Sequence, residues 1–278
     1  MCELLGMSSD LPATLSLSLA TLAKHGGPPA SIRDGWGVAY YEGSDVRLIK
    51  DAGPMSDSDW VGFLREHDLR SSIVMAHIRK ATMGEPAYRN AQPFSRELVG
   101  RMHLFAHNGW LPGILGSARF QSSRYFRVGE TDSEQAFCVL LDRMADIWRR
   151  PGETPPLAAR LAIVSSFADE LRRLGPANFL YSDGDALFAH GDRRKQAATS
   201  SIEPPGLYAL QNWCRRTASG WEASGVSIED ANQAVTVVAS VPLTADAWSP
   251  LAEGEVLAIS RGGIVLRHPG PAPDAFVS

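Results

Sequence analysis

Apolar positions along this chain recur with two periods, and the switches between them mark out the elements. Leu11, Leu15, Leu19 and Leu22 share a helical face behind Asp10 and Pro12, residues suited to a cap and a first turn, and Gly26-Gly27 ends the run. A first helix is expected there. Trp36 to Tyr41 and Val46 to Lys50 flank Glu42-Gly43-Ser44-Asp45 as a hairpin, and Ser71 to Ile78 is rich in β-forming residues. Met102 to His107 reads as a short strand that delivers Asn108-Gly109 into a turn.

Thr131-Asp132-Ser133-Glu134 has the spacing of a capping box, and Phe137, Leu140, Leu141, Met144 and Ile147 follow at helical intervals. Ile163 to Leu174, closed by Gly175, predicts another helix. Asn178 to His190 folds back on Ser182-Asp183-Gly184, and Val235 to Val241 and Val256 to Leu266 supply further strands. Hairpins are prominent and no βαβ rhythm appears, which predicts the α+β class rather than a doubly wound sheet. The G-x-G-x-x-G and P-loop patterns are absent, so no dinucleotide or nucleoside-triphosphate cofactor is expected.

Composition narrows the function classes. The 278 residues are 44% hydrophobic and 21% charged, enough to bury a core without disulfides. Net charge is −4, and the densest basic run, Arg193-Arg194-Lys195, reads as a solvated loop rather than a nucleic-acid groove. Cys2, Cys138 and Cys214 stand far apart, so neither a disulfide framework nor a zinc site is indicated, and a reducing, cytoplasmic setting fits. No run of about 18 apolar residues predicts a membrane span. The Leu11–Leu22 stretch, interrupted by Pro12 and hydroxyl residues, is a poor signal peptide.

Four short segments carry candidate chemistry. Cys2 follows Met1 directly; removal of the initiator would leave a thiol and a free α-amine on one residue, nucleophile and base together, the alternative being a small buried residue near the terminus. In His77-Ile78-Arg79-Lys80-Ala81-Thr82-Met83-Gly84, Arg79 offers a planar fork for a carboxylate and Thr82 a hydroxyl. Their alternatives are a surface ion pair and a loop hydrogen bond, and His77 reads as a hydrogen-bonded core histidine. Asn108-Gly109 is either an ordinary turn or an oxyanion hole. Asp132 at a helix start has a sufficient reason in the helix dipole, yet can bind an ammonium.

These segments, in this order, resemble the class II glutamine amidotransferases, which are N-terminal nucleophile hydrolases. The likeness is closer to the stand-alone YafJ-type members, through Met1-Cys2-Glu3-Leu4-Leu5-Gly6-Met7, Asp34-Gly35-Trp36-Gly37, Asn90-x-Gln92-Pro93-Phe94 and Val128-Gly129-Glu130-Thr131-Asp132-Ser133-Glu134. The resemblance implies a four-layer αββα sandwich built as one domain over residues 1–278. The proline cluster Pro151 to Pro156 then becomes an internal loop, and the residues from about 268 to 278 a loose tail. It implies Cys2 as nucleophile, Asn108 and Gly109 as oxyanion hole, and Arg79, Thr82 and Asp132 as the holders of the amino-acid end of glutamine, with no metal or cofactor.

Three functions follow. The first is glutamine hydrolysis through a γ-glutamyl thioester, with ammonia passing to a separate synthase subunit. The second is hydrolysis of another γ-glutamyl amide, a peptide or thiol metabolite. The third is a non-catalytic, glutamine-sensing subunit. Nucleic acid and membrane are not expected as partners.

Overall fold

The computed structural model describes residues 2–14, 34–55, 58–67, 69–81, 83–214, 221–223, 226–228 and 233–270. Two antiparallel sheets face each other. The first contains β1 (Glu3–Thr14), β2 (Trp36–Glu42), β3 (Asp45–Asp51), β4 (Arg70–Ile78), β11 (Tyr208–Cys214), β14 (Gln233–Ala239) and β15 (Ser249–Pro250), in the order β15-β11-β14-β1-β4-β2-β3. A small hairpin, β12 (Trp221–Ala223) and β13 (Val226–Ile228), pairs with the end of β1. The second sheet runs β17-β16-β8-β7-β6-β5, from β5 (Phe94–Leu98), β6 (Arg101–Gly109), β7 (Ala177–Ser182), β8 (Leu187–His190), β16 (Val256–Ser260) and β17 (Gly263–His268). A separate two-stranded hairpin joins β9 (Arg194–Lys195) to β10 (Ile202–Glu203).

Side-chain alternation sorts the core into three slabs. Leu4, Ala39, Ile73, Met75, Leu104, Ala106, Leu180, Leu187 and Val238 fill the space between the sheets. The alternate residues Leu5, Met7, Val38, Tyr40, Val74, Ala76 and Val237 face outward, where α1 (Asp59–Glu66) brings Val61 and Leu64. On the far side Phe105, Phe179, Tyr181 and Phe188 pack against α2 (Asp132–Met144) and α3 (Leu157–Leu171) through Phe137, Leu141, Val164 and Phe167. The layers are therefore helix, sheet, sheet, helix, the sandwich expected. Among the described residues no helix is long and apolar enough to cross a membrane.

Most predicted elements form, with shifted ends. The helix expected from Asp10 does not begin there, because β1 continues through Asp10, Leu11 and Pro12 to Thr14. Its pairing with β4 is irregular between Ser8 and Ala13, so Pro12, which has no N–H, sits where the ladder is broken. The rest of that predicted helix lies outside the described residues. α3 starts six residues before Ile163, directly after Pro155-Pro156, and the proline cluster is the loop joining two helices of one layer. Those helices are linked by Arg143, whose guanidinium meets the Glu170 carboxylate at 2.9 and 2.8 Å. β17 ends at His268, and residues 271–278 lie outside the described set.

Candidate functional site

Cys2 precedes β1, and the pairing of Glu3 with Ile78 sets it beside the residues that leave β4. Its Sγ lies 3.2 Å from the Lys80 N–H, which donates to it, and 3.2 Å from the Lys80 carbonyl, to which the thiol donates. Burial pushes the Cys2 thiol up from its ordinary range, opposed by the Lys80 N–H and the nearby Arg79 charge.

Asn108 reaches this point from the other sheet. Its Nδ2 donates to the Cys2 carbonyl at 2.7 Å and leans toward Ser240 Oγ at 3.4 Å. Ser240 itself closes β14 onto β1, exchanging bonds of 3.0 Å with Leu4. Asn178 of β7 supports Asn108 from behind, donating to its carbonyl at 3.1 Å and to that of Arg193 at 2.9 Å. A side chain at Gly206 would put its Cβ 1.6 Å from Asn178 Oδ1, so glycine is required there.

Asn108-Gly109 is not a turn: the two residues end β6, paired with Asn178 and Ala177. Trp110 N donates to Pro176 O at 3.1 Å, and antiparallel alternation then aims the Gly109 N–H away from β7. A Cβ on Gly109 would stand 1.8 Å from the Pro176 carbonyl and 2.6 Å from His107 Nε2. Glycine is therefore dictated by strand approach rather than by turn geometry.

Arg79 is 3% exposed, and its fork is filled by backbone. Nη1 donates to Asp34 O at 2.9 Å and Glu85 O at 3.2 Å, Nη2 to Met83 O at 2.7 Å and Gly84 O at 3.0 Å. The alternative of a surface ion pair is excluded by this buried clamp, which folds residues 83–85. Thr82 lies outside the described residues. Asp132 is also engaged, Oδ2 by Leu111 N and Oδ1 by Ser133 N, each at 2.8 Å.

The capping box is half formed. Thr131 Oγ1 accepts from Glu134 N at 3.2 Å, but the Glu134 carboxylate turns to Gly129 N at 2.7 Å, Val128 N at 3.0 Å and the Arg96 guanidinium. Two residues whose roles the sequence did not disclose complete the scaffold. Asn90, fully buried, donates to Glu85 O at 3.0 Å and Glu130 Oε2 at 2.5 Å and accepts from Glu130 N, stitching the two site loops together. Gln92 holds both backbone groups of His107, at 2.7 and 3.3 Å. The motif Asn90-x-Gln92 is the signal that could have found them.

Histidines surround this scaffold. His107 Nδ1 lies 2.9 Å from Ser133 Oγ, which donates to Asp132 at 3.2 Å. His77 is the core residue expected, its ring approaching the His107 backbone, and burial lowers it to about 3. A cleft of about 300 Å³ opens at Cys2, between Lys80, Ala81, Asn108, Gly109 and Trp110 on one side and Pro176, Asn178, Arg193, Arg194, Lys195 and Ile202 on the other. Cys2, Asn108 and Gly109 meet on it; Arg79 and Asp132 do not line it. Arg194 is not solvated as expected: it is buried, pairs with Glu3 at 2.9 Å and binds the Ser240 carbonyl.

Known proteins resemble this chain in sequence and in fold. YafJ of Escherichia coli (strain K12) is 37% identical over 257 residues, 92% of this chain and 96% of that protein. A crystal structure of a predicted glutamine amidotransferase from Pseudomonas aeruginosa PA01 is 31% identical, with a TM-score of 0.66 over 95% of this chain and 100% of that one. Glutamine phosphoribosylpyrophosphate amidotransferase from B. subtilis, 17% identical, shares the fold alone, with a TM-score of 0.58 over 96% of this chain and 49% of its own. The sandwich is thus that of the N-terminal nucleophile hydrolases. The family model for glutamine amidotransferases class-II matches residues 1–275, and with a relative aligned nearly end to end the conclusion is that this chain belongs to the class-II glutamine amidotransferases.

Proposed function

We propose that the protein hydrolyses the γ-amide of glutamine through a γ-glutamyl thioester on Cys2, releasing glutamate and ammonia. The observation that carries this reading is the convergence of the Cys2 thiol, the Asn108 amide and the Gly109 backbone on one cleft. With Met1 removed, the Cys2 α-amine, of reference pKa about 7.7–8.0, takes the thiol proton. The thiolate attacks the γ-carbonyl carbon, and the carbonyl oxygen gains charge.

Asn108 Nδ2 and the Gly109 N–H then donate to that oxygen. One Asn108 hydrogen stays on the Cys2 carbonyl; the other exchanges its long 3.4 Å contact with Ser240 for the oxyanion. The C–N bond breaks as the α-ammonium gives its proton to the departing nitrogen, which leaves as ammonia, and a thioester remains. Water, losing a proton to the same amine, attacks the thioester carbon and frees glutamate and the thiol.

Arg79, Thr82 and Asp132 hold the amino-acid end. Substrate carboxylate displaces the Met83 and Gly84 carbonyls from the Arg79 fork, and the α-ammonium approaches Asp132. The ammonia goes to a separate synthase subunit. Glutamate release by Met-processed protein, compared with Cys2→Ala, tests the proposal. Turnover that vanishes in Cys2→Ala, with a γ-glutamyl adduct on Cys2 after acid quenching, supports it. Tight glutamine binding with neither adduct nor glutamate would instead mark a sensing subunit.

A further inference from the structure

Ala91 stands between Asn90 and Gln92, the two residues that stitch the site together, and its carbonyl is held by a cation that does not line the cleft. Ala91 is fully buried, so that carbonyl needs a donor, and Lys50 Nζ supplies one at 2.9 Å. Lys50 comes from β3, the edge strand of the first sheet, whereas Ala91 leads into β5, the edge strand of the second. The contact fastens the two sheets to each other at their site end.

Both neighbours of Ala91 pass this restraint on. Asn90 joins the loops at Glu85 and Glu130, and Gln92 grips the N–H and carbonyl of His107, one residue before Asn108. A continuous line therefore runs from β3 through Lys50, Ala91, Gln92 and His107 to the strand end that bears the Asn108 amide. It has little slack. A Cβ on Gly37, the cross-strand partner of Lys50, would lie 2.4 Å from the Gln92 carbonyl and 2.8 Å from Lys50 Cγ.

The surroundings of Lys50 favour a cation through aromatic faces rather than through a carboxylate. Nζ lies 4.7 Å from the Tyr88 ring centroid and 5.8 Å from that of Phe94. The nearby charges are otherwise engaged: Glu134 with Arg96, Arg89 with Glu85 and Glu130, and the Asp51 carboxylate with Gly53 N and Ser58 Oγ. Burial brings the ammonium down to about 8, with Glu134 and Arg96 acting on it in opposite senses.

We propose that Lys50 is a positioning residue: its ammonium, held on the Ala91 carbonyl, keeps Gln92 and hence the His107–Asn108 backbone in the register that aims the Asn108 amide at the reacting carbonyl. The inference rests on the thioester reading and adds to it a residue remote from the cleft. The protonated form is the effective one, because a neutral amine is a weaker donor and is not drawn to the rings. Activity is therefore complete below the Lys50 pKa and falls as pH rises through it.

The test is the pH dependence of kcat for glutamine over about pH 6 to 10. The unsubstituted protein is expected to show an alkaline limb near pH 8. Lys50→Met lowers kcat about tenfold with KM held within about twofold, and the limb disappears. Lys50→Arg restores most of kcat without a limb, since a guanidinium does not titrate in this range. Tyr88→Leu, a change at a residue 56% exposed, removes one aromatic face and moves the limb down by about half a pH unit. That arm and the unsubstituted profile decide the matter should Lys50→Met fail to fold. An unsubstituted profile with no alkaline limb, a limb that persists in Lys50→Met or stays in place in Tyr88→Leu, or an undiminished kcat in Lys50→Met would overturn the inference while leaving the thioester reading intact. Silence of the unsubstituted protein on glutamine at every pH would remove that reading and the inference with it.

Discussion

Cys2, Arg79 and Gly109 each owe their position to a neighbour far away in the chain. Arg79 is the plainest case, since its planar fork gathers four carbonyls from Asp34 and residues 83–85. A lysine has the charge but not the fork, so Arg79→Lys loosens that loop and weakens carboxylate binding together. The expected outcome is a KM for glutamine raised about tenfold or more; a normal KM would refute the role. Gly109 is constrained more severely, its missing Cβ lying 1.8 Å from the Pro176 carbonyl. Gly109→Ala must push β6 from β7 where the proposed oxyanion donor is aimed, and kcat is expected to fall about 10²-fold or more, with Tm read alongside to record the accompanying strain.

At the scale of elements, strand ends and one helix start assemble the site. α2 begins on Thr131, whose Oγ1 caps Glu134 N, and it positions Asp132 and Ser133 beside His107. Thr131→Ala removes one cap and is expected to cost about 1 kcal/mol in urea unfolding. The Ile163–Leu174 helix and the hairpins at residues 36–51 and 178–190 were legible because alternation and helical spacing survive where one face is polar or a turn residue intervenes. β1 was not. Glu3 to Ser9 is buried on both faces, so its pattern carries no alternation, and the leucines that follow imitate a helix. β5 was missed because its five residues mix charged and apolar positions without a clear period, and α1 because Trp60, Val61, Phe63 and Leu64 keep helical spacing over only eight residues, too short a run to stand out.

Across the whole molecule the sandwich buries histidines as neutral groups. Burial lowers His77 and His190 to about 3 and His103 to about 4. The unfolded chain holds their protons below about 6.5, the folded one does not, so unfolding takes up protons as pH falls. Their contribution to stability is complete above about pH 6.5 and is lost toward pH 3–4. The urea midpoint at pH 5 is expected well below that at pH 7, a difference on the order of a few kcal/mol. A midpoint unchanged between those values would show that these rings are charged in the fold.

Local physics, then, accounts for what the sequence settles alone: the α+β class, the hairpins, the helix start at Thr131, and the presence of residue types suited to a nucleophile, a carboxylate fork and an oxyanion hole. Each of those signals lies within a few residues along the chain, in a period, a cap or a turn. The convergence of Cys2 with Asn108, the clamp on Arg79, and the turning of Arg193 to Lys195 from an apparent surface run into the wall of a cleft depend on residues 45 to 191 positions apart. Only the packing of two sheets brings such groups within hydrogen-bond range, because a contact across that much chain leaves no period for a sequence to display.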